Sequence, residues 1–114
     1  MHVTVVNTLA LGLLSTLVVP VTSFWRLPCK VPVVTERADP IISPGKVSGH
    51  VHTIMGGNGF GFTMDYAQAR ASTCSSCTVT KDMSNYWVPS LYFKAKNGSF
   101  TSVNQAGGAT VYYE

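Results

Sequence analysis

The stretch Val3–Val21 carries no charge and is dominated by Val, Leu and Ala, and it decides how much of the chain is left to fold. It closes on Pro20-Val21-Thr22-Ser23, where small residues at Val21 and Ser23 suit a signal peptidase, with Phe24 as the new amino terminus. The start Met-His-Val lacks the basic residue that such leaders usually carry. The run is also short for a membrane span of roughly 20 residues, so the expectation is a cleaved leader over residues 1–23 rather than an anchor helix. Residues 24–114 then make one domain with a modest core.

All charged residues lie in that domain, with eight basic and five acidic side chains giving a net charge of +3. The basic residues are scattered singly from Arg26 to Lys96, so the stripe a nucleic-acid partner would need is missing. Mild basicity suits solubility and some affinity for an acidic wall polymer. No membrane attachment is expected after leader removal. An exported chain meets oxidising conditions, in which Cys29, Cys74 and Cys77 tend to pair. Cys29 has two possible partners, Cys74 and Cys77, and an odd count leaves one thiol free or paired with chain beyond this one. Cys74-Ser-Ser-Cys77 as a redox or zinc half-site lacks the second CxxC that zinc would want.

The pattern along residues 24–114 is that of a mainly β domain. Pro28 and Pro32 make Phe24–Pro32 an irregular opening, followed by a short edge strand around Val31, Val33 and Val34. Asp39-Pro40 and Ser43-Pro44-Gly45 are turns. Lys46–Met55 reads as a strand whose alternation puts Ser48, His50, His52 and Ile54 on one face, with Val47, Val51, Thr53 and Met55 on a core face. Gly56-Gly57-Asn58-Gly59-Phe60-Gly61 is a close-approach loop without the spacing of a dinucleotide fingerprint. Asp65 and Gln68 predict a capping box for a helix over Tyr66–Ala71. Asn97-Gly98 between Leu91–Lys96 and Ser99–Val103 predicts a hairpin with a two-residue turn, Lys96 opposite Ser99, with Ala109–Tyr113 as the third strand of a meander. Asn97-Gly98-Ser99 is also an N-glycosylation sequon, placing Asn97 on an exposed turn.

The candidate chemistry centres on Arg37–Gly57. His50 and His52, two apart on a strand, hold their Cβ atoms roughly 6.5–7 Å apart on one side, close enough to converge on a metal or a substrate. A catalytic metal site needs a third protein ligand, and spacing does not choose among Asp39, Asp65 and Asp82. Acid–base work by His50 or His52 with Asp39 is one reading, and two histidines simply bonded in place is another. Arg37 and Asp39 are expected to pair and fix the turn before Pro40, with acidic-sugar binding by Arg37 as the other use. Asn85, Tyr86 and Trp87 stand in an aromatic block on which a sugar ring or core side chains could pack. Glu36, Asp39 and Asp82 are the acids left for a glycosidase pair, with no separation to compare. The cofactor requirement stays open.

Arg37-x-Asp39-Pro40-Ile41, Pro44-Gly45, Ser48-x-His50-Val51-His52-x-Ile54-x-Gly56-Gly57, Cys74-x-x-Cys77 and Asp82-x-Ser84-Asn85-Tyr86-Trp87-x-Pro89-x-Leu91-Tyr92-Phe93 follow one another in that order. Together they resemble the amino-terminal part of the DUF1996 family, secreted fungal proteins of uncharacterised function, some of which carry a WSC-type carbohydrate-binding domain. The resemblance covers nearly all of residues 24–114. It implies secretion, a fungal source and a link to cell wall or polysaccharide, and it supplies no catalytic residues. It also implies that the domain continues past Glu114, so the sheet is expected to be cut short there. The expected architecture is an antiparallel sheet of sandwich or meander type with one short helix. The expected function is contact with cell-wall polysaccharide through a His/aromatic site; a hydrolase or lyase using His50 or His52 with a carboxylate, and a purely structural protein, are the alternatives.

Overall fold

The computed structural model describes residues 23–114, so the expected leader, all but Ser23, lies outside the described residues. The best-buried element is a short strand, β3 (His52–Gly56), shielded along its whole length. It holds that place because antiparallel neighbours flank it on both edges: β2 (Val34–Glu36), through Val34↔Ile54, and β4 (Asn85–Pro89), through Ile54↔Trp87. Alternation then sorts the side chains. Thr53, Met55, Tyr86 and Val88 share one face of this sheet; His52, Ile54, Asn85 and Trp87 share the other.

The Met55 face is covered by a second, two-stranded sheet, β1 (Trp25–Cys29) paired antiparallel with β7 (Ala109–Tyr113). Leu27, Cys29, Met55 and Cys77 form the core between them, with Tyr86, Ala109 and Val111 packed against it. A strand at Trp25–Cys29 corrects the irregular opening expected there. Pro28 is tolerated because its carbonyl still accepts from Thr78 N at 2.9 Å, so only the donor half of that exchange is lost. The pairing of β7 with β1 likewise corrects the meander.

The bridge between the two layers is Ser72–Thr78. Asn58 N donates to Cys74 O, Ser76 N to Gly56 O and Lys30 N to Ser76 O, and the Cys29–Cys77 disulfide locks the crossing. Cys29 therefore takes Cys77, and Cys74 is left free and exposed. Gly56 permits the close approach of the Ser84 backbone at the start of β4: its φ is +102°, and a Cβ there would collide with the Ser84 carbonyl. The helix α1 (Tyr66–Arg70) starts as half of the expected capping box. Asp65 Oδ1 accepts from Gln68 N at 2.8 Å, but the Gln68 side chain donates to Gly59 O, pinning the glycine loop.

The third sheet is the hairpin of β5 (Tyr92–Lys94) and β6 (Phe100–Ser102). Its register, Lys94↔Phe100, differs by one residue from the expected one. A two-residue type I′ turn needs positive φ at both central positions, and among the described residues only glycines have it. Asn97 stays at negative φ, Gly98 alone crosses over (φ +86°), and Gly98 N donates to Ala95 O, giving the wider three-residue loop. Asn97 is exposed, as expected, and its Oδ1 accepts from the backbone N and the hydroxyl of Ser99.

Candidate functional site

The strand expected to begin at Lys46 begins at His52. Its expected first half is a loop folded back on Arg37: Ser48 N donates to Arg37 O, and Arg37 Nε donates to Ser48 O, both at 2.9 Å. Arg37 thus holds the loop through backbone rather than through Asp39. Asp39 fixes the turn in its own way, with Oδ1 accepting from Ile41 N at 3.1 Å and Ile42 N at 2.9 Å. Val47, expected in the core, is exposed because it lies in this loop.

The imidazoles nevertheless remain neighbours, with ring centroids 5.9 Å apart and planes edge to face. They are not equivalent. His52 is 4% exposed and its Nδ1 lies 2.8 Å from the Ala38 carbonyl, which can only accept, so Nδ1 carries a proton and donates to it. His50 is exposed; its backbone N donates to the hydroxyl of buried Ser48.

Asp39 belongs to the same cluster. Its carboxyl is held below the ordinary carboxylate value, first by the Ile42 N–H, against the opposing effect of burial, then by the Ile41 N–H, the charge of His52 and the Trp87 indole. Trp87 is half-buried and makes an edge contact with Phe60 of the glycine loop, centroids 6.1 Å apart. Arg37, Asp39, His50, His52 and Trp87 are thereby gathered on one side of the central sheet.

Asn85 lies on that face nearer the glycine loop. Its Nδ2 donates to Gly57 O at 2.7 Å and Met55 O at 3.3 Å, and its buried Oδ1 has no partner. Tyr86 is not part of the cluster. It faces the other layer, where its hydroxyl donates to Asp82 Oδ2 at 2.6 Å and meets the Tyr113 hydroxyl. Burial, then Asp82, then Tyr113 push its phenol well above the ordinary value. Burial pushes Asp82 up, but the hydrogen bonds from Tyr86 and Ser84 outweigh it and hold the carboxyl low. Tyr113 also stacks flat on Trp25, centroids 4.4 Å apart. Sequence reading missed this Asp82–Tyr86–Tyr113–Trp25 chain; the signal was the alternation of Trp25 with Leu27 and Cys29.

Four of the five acids accept a backbone N–H close by in sequence: Glu36 from Arg37, Asp39 from Ile41 and Ile42, Asp65 from Gln68, and Asp82 from Ser84. Among the described residues no group of three or more His, Cys, Asp or Glu could hold a metal ion. The arrangement offers an exposed imidazole, an indole and a histidine anchored through Nδ1, with the nearby carboxylate tied into a turn.

Fold and site together define a small, disulfide-linked, mainly β domain with a histidine/tryptophan cluster on one face of its central sheet. The chain belongs to the DUF1996 family: the family model, a domain of unknown function, matches residues 39–114. The match begins at the Asp39 turn and takes in the histidines, the cysteine loop, β4 and β7. No curated protein and no solved structure matches the chain. Among the described residues no helix is long and apolar enough to cross a membrane.

Proposed function

We propose that this chain is an exported protein that contacts cell-wall polysaccharide through His50 and Trp87, with His52, Asp39 and Arg37 holding those two groups in place. The observation that carries this reading is the division of labour in the cluster: the exposed ring is free to meet a ligand, while the acid beside it serves a turn. Aromatic faces and imidazole donors suit the alternating C–H and O–H surface of a sugar chain. The disulfide is in keeping with an oxidising, extracellular setting.

The alternative, a hydrolase or lyase, has one feature in its favour: the Nδ1 bond to the Ala38 carbonyl orients the His52 ring and leaves Nε2 as its nitrogen for proton transfer. Against it stands the scarcity of an uncommitted carboxylate to act as partner.

The test is a pull-down on insoluble β-glucan, chitin and mannan, with reducing-end release assayed in the same tubes. Binding without product, weakened about tenfold (~1.4 kcal/mol) by His50→Ala and by Trp87→Ala, is the expected result. Product release lost in His50→Ala or His52→Ala would favour the enzyme. Unchanged binding in all three variants, with lowered melting temperatures, would leave the cluster a purely structural role.

A further inference from the structure

On the opposite face from His52, where the ends of the three sheets meet, a cleft of about 310 Å³ opens between the central sheet and the Ser102–Gly108 loop. That volume is at the lower end of the roughly 300–1,000 Å³ typical of small-molecule sites. Its floor is Thr53, only 4% exposed, whose hydroxyl lies 2.7 Å from that of Ser90. Such a pair uses one of its two O–H donors internally, leaving one donor and spare lone pairs for a third group.

The wall is anchored at both ends. Val103 N donates to Leu91 O at 3.0 Å, and Gly108 (φ +78°) lies so close to Cys29 and Lys30 that any side chain there would strike their backbone. Between these anchors the loop lines the cleft with Asn104 and Gln105, residues whose carboxamides both donate and accept. Leu91, 64% exposed, supplies an apolar surface, and Lys30 is the only charged residue in the lining.

We propose that this cleft is a second, independent binding site, for one neutral sugar ring. Hydroxyls and carboxamides both donate and accept, as sugar hydroxyls do, and Leu91 offers a seat for the C–H face. A phosphate or sulfate would call for more than one cation, and an apolar ligand would leave the Thr53–Ser90 pair unsatisfied. The site shares no side chain with the histidine cluster and stands whether or not that cluster binds glycan.

The experiment is an amide NMR titration of the ¹⁵N-labelled chain with the methyl glycosides of glucose, mannose, galactose and N-acetylglucosamine, and with methyl glucuronide. At least one neutral glycoside should shift Thr53, Ser90, Leu91 and Gly108 saturably, with a dissociation constant on the order of millimolar. Thr53→Val, which keeps the shape of the side chain, and Ser90→Ala should each weaken binding about tenfold, the effect of one lost hydrogen bond. No saturable shift with any neutral glycoside would overturn the proposal on the unsubstituted chain alone. So would shifts confined to His50, His52 and Trp87, or binding of the glucuronide alone that salt abolishes.

Discussion

Reducing the Cys29–Cys77 disulfide should remove a large part of the stability of this domain. The bond joins positions 48 residues apart and ties β1 to the bridge that spans both layers. Loop-closure entropy for a ring of that length corresponds to about 4 kcal/mol at room temperature. A small domain has roughly 5–15 kcal/mol in total, so the reduced chain is left near the threshold of folding. The assay is urea unfolding of oxidised and reduced protein in a Cys74→Ser background, which prevents reshuffling. With a slope of about 1–1.5 kcal/mol per molar for a chain this short, the midpoint should fall by about 3 M. Reduction rather than substitution is the right comparison, because Cys29 and Cys77 are core residues and truncating them would add a cavity. A difference below about 1 kcal/mol would refute the reasoning, since β1 would then be held by its pairing with β7 and the disulfide would be incidental.

Three further outcomes are expected. The Asp39 and Asp82 carboxyls titrate below their ordinary 3.8, so their contribution is complete above that value and is lost as pH falls through the lower folded-state values; melting temperature should drop on acidification below about pH 4, less steeply in Asp39→Asn. Tyr86→Phe removes the hydroxyl joining Asp82 to Tyr113 and should cost about 1 kcal/mol by urea unfolding, with an upward shift of the Asp82 titration followed by NMR. Gly98→Ala, with open space around it but positive φ, should cost roughly 1 kcal/mol, whereas Gly56→Ala, which collides with Ser84 backbone, should leave little folded chain by circular dichroism.

Local chemistry was legible in the residues. The Asp65 cap, the Asp39 turn, the outward Asn97 and the burial of Thr53 and Met55 all follow from spacing over a few positions, and the structure has each of them. What could not be read were choices made by distant partners. Nothing near Pro28 announces that a strand lies there, because the pairing that makes it a strand comes from Ala109–Tyr113. Nothing in Lys46–Val51 shows that Arg37 will draw Ser48 out of the sheet and leave His50 just outside it. The hairpin register turned on whether Asn97 would adopt positive φ, which the dipeptide Asn-Gly favours but does not enforce. The Thr53–Ser90 hydroxyl pair was invisible for the same reason, since its members come from separate parts of the chain.

The first described strand meets its partner only in the last one, and this governs how the molecule comes into being. While the polypeptide is being made, Leu27 and Cys29 must wait beside an open edge until Val111 and Ala109 arrive to cover them. Closure over so long an intervening segment is slow, and the waiting edge is available to any other chain that offers a strand. The disulfide partner at Cys77 emerges well before that closing strand, so early oxidation could seat β1 in advance and shorten the exposure.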